Sequence, residues 1–202
     1  MNKILFPGIG WFLLLLAPLT FAGFYPSYFS RLSVGMDSIY HVHAVFMLIW
    51  VAMAIVQPWL IARKNTRLHK RIGKASYVIM PLVLLSGYLV IRHTYYKQIA
   101  QKAEEASRGL AELSPNDIRA QAAAITMIGC VYLAWLAVFY ILAIVHRKKM
   151  VYHGTYMFGA TLTILGPTTD RLIYNTLAAF GLPYTFFAEH VVFFFIIAVM
   201  AG

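Results

Sequence analysis

Six apolar stretches, each close to the length that crosses a bilayer, occupy nearly the whole chain. They cover roughly 4–22, 39–62, 75–92, 121–145, 150–172 and 183–202. A spanning helix needs about 20 predominantly apolar residues, because the hydrocarbon core is about 30 Å thick and a helix rises 1.5 Å per residue. Six such stretches and their connections use up the 202 residues and leave no separate soluble domain. With 61% hydrophobic and 12% charged residues, a soluble fold would have little to show water. The fold class expected is therefore all-α: a polytopic integral membrane helix bundle of six transmembrane helices in one domain, embedded in the lipid bilayer.

Charge orients the bundle. The net charge of +10 could suggest nucleic acid, but the basic residues follow membrane topology instead, and no nucleic-acid partner is expected. Arg63, Lys64, Arg67, Lys70, Arg71 and Lys74 fill one short connection without an acid. Arg147, Lys148 and Lys149 fill another. Both turns belong on the cytoplasmic side by the positive-inside rule. Lys3 falls on the same side, so both ends of the chain are expected inside, in the inner (cytoplasmic) membrane. All seven acids, Asp37, Glu104, Glu105, Glu112, Asp117, Asp170 and Glu189, fall outside or in the outer half. The first stretch has the look of a signal peptide, with Lys3 and a cleavage-like Thr20-Phe21-Ala22, but its length and late aromatics favour a retained helix. The single cysteine, Cys130, lies in an apolar run and offers no intramolecular disulfide.

The longest connection is the outer one, 93–120. Lys97 to Leu113 reads as helix, extending the third span. Ser114-Pro115-Asn116-Asp117 reads as a fresh start, with Ser114 as N-cap, Pro115 at N1 and Asp117 closing a capping-box variant. Pro58, Pro81 and Pro167 lie inside spans, where each should kink or thin its helix.

Ionisable groups inside a span are costly and by default face a partner or a cavity. They fall at two depths. His43, His93, Asp170, Arg171, Glu189 and His190 belong to the outer leaflet, and His69, His146 and His153 to the inner side. His41 and His43 project about 200° apart on a helix, so only one faces a given site. His43 shares a face with Gln57, which favours it for the bundle interior, whereas His41 shares a face with Asp37 and is expected to bond to it. Histidines on different helices at one depth can hold haem iron axially or a smaller metal. The haem pairs would be His69 with His153 at the inner site, and His43 with His190 or His93 at the outer, with Arg171 or Arg92 for the propionates. The competing metal set is His43, Asp170, Glu189 and His190, a mixed nitrogen and oxygen site for zinc or iron. In the plainest reading, Glu189 pairs with Arg171 to lock helices, while His69, His93 and His146 sit at the interface.

The stretch from His43 to Gln57-Pro58, then Arg67-Leu68-His69-Lys70-Arg71-Ile72-Gly73-Lys74, then Ser86-Gly87, resembles a family of uncharacterised bacterial multi-pass membrane proteins. A further shared element runs from Arg147 through His153 and Met157, followed by Arg171. That family is similar in layout to transmembrane di-haem cytochrome b proteins and ferric-reductase-like membrane domains. The resemblance implies b-type haem, transmembrane electron transfer, a redox partner, and His43, His69 and His153 as ligand positions. The fourth helix carries no histidine where the di-haem layout expects one. His190 would have to supply the fourth ligand, or one haem is absent. The alternatives are a metal-dependent membrane enzyme with the outer-leaflet site, and a non-catalytic transporter-like or assembly subunit.

Overall fold

A computed structural model describes residues 5–181, together with Ala198. The described residues form an all-α fold in five rods. The first is α1 (Leu5–Leu14) continued by α2 (Leu16–Phe24). Next come α3 (Ser38–Ala62), α4 (Thr66–Ser107) and α5 (Pro115–Val145). The last is α6 (Met150–Leu162) continued by α7 (Leu165–Ala179). Three helices, α3, α4 and α5, are long and apolar enough to cross a membrane, and Gly8–Phe24 is a shorter apolar helix. The sixth expected span, 183–202, lies outside the described residues apart from Ala198.

The helix interruptions are proline effects, though not all at the prolines singled out above. A proline has no N–H to give to the carbonyl four residues back, and its ring crowds that carbonyl. Pro167 thus deprives Thr163, and the expected single helix 150–172 breaks at Thr163–Ile164. Pro18 deprives Leu14, where α1 ends. Pro58 and Pro81 stay within unbroken helices.

The connection 93–120 is helical for most of its length, as an extension of the helix before it. α4 is one helix of 42 residues running from the first basic turn through 93–107. At 1.5 Å per residue it is roughly 60 Å long, twice a hydrocarbon core of about 30 Å. Nothing in Lys97–Ser107 breaks a helix, and the stop comes at Gly109, which takes the left-handed conformation (φ 71°) that ends many helices. α5 then starts with the capping box read from the sequence. The Asp117 amide donates to Ser114 Oγ at 3.2 Å and the Ser114 amide to Asp117 Oδ2 at 3.1 Å. Ser114→Ala should destabilise this end by about 1 kcal/mol. Hydrogen exchange at the first-turn amides of α5 should speed up, with the rest of α5 unchanged.

Packing follows chain order. α3 lies on α4, α4 on α5 and α5 on α6, while α1 lies on α3 and α2 on α7. α4 and α6 therefore stand diagonally across the bundle with little direct contact. One apolar core joins Trp50 of α3, Met80 and Val83 of α4, Leu136 and Tyr140 of α5 and Ala160 of α6. A second joins Leu13 and Leu16 to Ile55, Leu162, Ile164 and Leu165. The outward faces are apolar too, with Val45, Leu48, Val78, Leu85, Ile125, Met127, Val138 and Ile141 all exposed. Continuous apolar surface of this kind suits lipid rather than water. The buried hydroxyls are satisfied locally, as lipid demands: Thr163 donates to Ala160 O at 2.8 Å and Thr168 to Ile164 O at 2.7 Å.

Candidate functional site

The histidines sort by what each nitrogen can do. A carbonyl oxygen only accepts, and a neutral imidazole carries one N–H and one bare nitrogen. A histidine bonded to a carbonyl therefore donates, and in the neutral ring the other nitrogen keeps its lone pair.

His153 follows this rule. It sits in the first turn of α6, and its Nδ1 lies 2.9 Å from the carbonyl of Ala143. Ala143 is in the last turn of α5, where carbonyls have lost their helical donors. The Arg147 amide, its regular donor, bonds Ile144 instead. His153 thus caps α5 through Nδ1–H and leaves Nε2 bare. His69 comes from the first turn of α4, which Asn65 caps by accepting from the Leu68 amide at 3.1 Å. The two rings, on diagonal helices, meet with centroids 6.4 Å apart and planes at 88°. An ion held by two imidazole nitrogens at about 2 Å each sets the ring centroids about 6 Å apart. His69 Nδ1 is buried and makes no hydrogen bond with any described residue, and the same holds for Gln57 Oε1. The Gln57 amide nitrogen donates to the His69 carbonyl at 3.3 Å.

His43 obeys the same logic nearer the opposite end. Its Nδ1 is 3.0 Å from Ser86 Oγ. The one hydroxyl proton of Ser86 goes to the Val83 carbonyl at 3.1 Å, so Ser86 accepts from His43. The ring lies against Gly87, where an added Cβ would come 3.3 Å from its Cε1. His43 and Gln57 both face α4, as their spacing predicts. The Arg171 guanidinium lies within electrostatic reach of His43. It donates to the Pro167 carbonyl at 2.8 Å and stacks 4.5 Å over the Phe24 ring.

The three other described histidines are each held by a neighbouring group. His146 Nδ1 donates to the Leu142 carbonyl at 2.9 Å, capping α5 beside Tyr152 and Tyr156. His93 donates from Nε2 to Asp37 Oδ2 at 2.9 Å, on an exposed face, so it does not pair with His43. His41 bonds Tyr28 at 3.0 Å rather than Asp37, which corrects the expectation above. That expectation assumed helical geometry at Asp37. Asp37 is instead the N-cap of α3 with ψ 130°, so its side chain leaves the helical register and reaches α4.

Asp37 also receives Lys97 Nζ at 3.2 Å. Hydrogen bonds from His93 and Lys97, with the Lys97 charge, hold its carboxyl below the usual carboxylate value. A depressed folded value means that the contribution to stability is full above the unfolded carboxylate value and is lost as pH falls through the folded one. Asp37→Asn should therefore lower the thermal midpoint slightly at pH 7. In acid below the folded value, the two proteins should melt together.

Of the metal set, Asp170 adjoins Arg171 in sequence and interacts with it electrostatically. Glu189 and His190 lie outside the described residues. Among those described, no group of three or more His, Cys, Asp or Glu side chains gathers as a metal site. The bare nitrogen of an imidazole tied at Nδ1 is a signal the sequence alone carries nowhere. It depends on which neighbour has a spare lone pair. Compared with protein-family models, with curated proteins and with solved structures, the chain matches none.

Proposed function

We propose that this chain is a six-span inner-membrane protein, both ends cytoplasmic, that holds one b-type haem between His69 and His153 and carries electrons within the membrane. The observation behind this reading is the meeting of those two rings, from helices that stand diagonally and barely touch. His153 supports it further, because its Nδ1 is already committed and its Nε2 is the atom left to coordinate. Metal-bound histidines usually have their second nitrogen bonded in this way. Bound there, haem supplies a reversible one-electron carrier. The residues do the rest. His69 and His153 fix the depth, and Arg67, Lys70, Arg71 and Arg147–Lys149 give that end the positive charge that propionates need.

One haem, rather than two, is the proposal. Among the described residues only His69 and His153 bring two histidine rings together from different helices. The test is a visible spectrum of the purified protein, oxidised and reduced, with a pyridine haemochrome stoichiometry. A reduced spectrum with sharp α and β bands and about one haem per chain is expected from bis-histidine ligation. A colourless protein after growth with ample haem would overturn the reading. Stoichiometric zinc or iron without haem would favour the metal-enzyme alternative.

A further inference from the structure

We infer that the start of α4 carries a binding face for anionic phospholipid, a lateral stripe of Arg67, Lys70, Arg71 and Lys74. The four stand at i, i+3, i+4 and i+7, within about two turns and on one side of the helix. His69, Ile72, Gly73 and Ser76 repeat that spacing on the opposite side. The tertiary contacts fix which side faces inward. His69 meets His153, and a Cβ at Gly73 would lie 3.8 Å from the Gln57 amide nitrogen. Ser76 is buried and bonds the Tyr140 hydroxyl at 2.9 Å. The cationic side therefore points out of the bundle, and all four of its residues are exposed. Their charge is felt at the His69–His153 end while their heads stand in the leaflet.

Followed along the helix, the same side turns apolar. Val78 and Leu85 continue it, at 64% and 57% exposure. Exposed aliphatic side chains on a spanning helix meet acyl chains. One outward face thus passes from Val78 to Lys74, from hydrocarbon to cation, within a single turn. A phospholipid presents the matching order, acyl chain and then phosphate. A soluble acidic protein would approach the end of the bundle, whereas this stripe faces sideways. Charge selects the lipid. No acid lies between Arg63 and Ala103 in the sequence. The ion pairs among the described residues all lie toward the far end of α4. A zwitterionic headgroup brings its own cation and leaves the stripe uncompensated, while a net negative one offsets it. Each Lys or Arg near such a surface favours anionic lipid by about fivefold.

The test is electron spin resonance of spin-labelled lipids in phosphatidylcholine vesicles holding the full-length protein. The immobilised fraction of labelled phosphatidylglycerol, set against that of labelled phosphatidylcholine, gives the relative affinity. The wild type should favour phosphatidylglycerol by about fivefold or more. Salt at about 1 M, which cuts the screening length to about 3 Å, should reduce that ratio. Arg67→Gln, Lys70→Gln and Lys74→Gln together should bring it near unity. Arg147→Gln, Lys148→Gln and Lys149→Gln together remove the same charge from the neighbouring turn and should leave most of the preference. Lys70→Gln alone should lower the ratio several-fold, in a protein whose orientation the other basic residues still set. A wild type without preference, as an acidic-protein surface would give, overturns the inference. So does equal loss in the two triple variants, which would make the charge at this end diffuse. The readout is independent of colour, so a colourless preparation sinks the haem reading and leaves this one to be decided on its own.

Discussion

Replacing His153 with alanine should abolish the Soret absorbance expected of the purified protein, and His69→Ala should do the same. Each would remove one of the two proposed ligands. Mutating even an outer-shell partner of a metal ligand typically costs 10–100-fold in affinity, and losing the ligand itself costs more. Haem per chain should fall from about one to a small residue, with any remaining pigment five-coordinate and its α band broadened. Two controls sharpen the result. His146→Ala should leave the spectrum unchanged, because that ring caps α5 at Leu142. His43→Ala should leave it unchanged too, since His43 is bonded to Ser86 and sits against Gly87 at another level of the bundle. If His43→Ala bleaches the protein while His153→Ala does not, the haem lies at the other depth and the assignment falls.

Gly23→Ala should be a damaging small substitution in the bundle. A Cβ at Gly23 would lie 2.5 Å from the Thr168 carbonyl oxygen and 3.0 Å from its Cγ2. The oxygen belongs to backbone, so neither side-chain rotation nor local repacking relieves it. α2 and α7 must separate, and they are each other's main contact for these segments. Overpacking of this kind costs about 1–3 kcal/mol. The thermal midpoint in detergent should drop by several degrees. Gly8→Ala is the matched control. A Cβ there meets nothing within 4 Å, and helical alanine is favoured over glycine by about 1 kcal/mol, so stability should hold or rise. A Gly23→Ala protein as stable as wild type would mean that α2 and α7 are not packed as described.

How much of this was legible beforehand depends on the range of the interaction. The capping box at Ser114 was readable because all its atoms lie within four residues. So was the extension of α4 past His93, as helical composition, though not its continuity with the membrane segment. Pro167 marks a kink within its stretch, and the break before Pro18 follows from the same chemistry. The pairing of His41 with Asp37 failed at a single ψ angle, since an N-cap residue does not obey the helical wheel of the residues after it.

The sequence by itself determined the setting and the elements. Apolar stretches of bilayer length must form helices that satisfy their own backbone, and the basic turns divide the chain into segments. These are local consequences of hydropathy and hydrogen bonding along one strand of chain. Only the tertiary structure decided which histidines meet and which nitrogen of each is spoken for. His69 finds His153 because α4 and α6 stand diagonally in the bundle. His153 exposes Nε2 because the last turn of α5 happens to offer it a carbonyl without a donor. A lone pair is free or taken according to neighbours that are distant in sequence, and no periodicity along one helix records them.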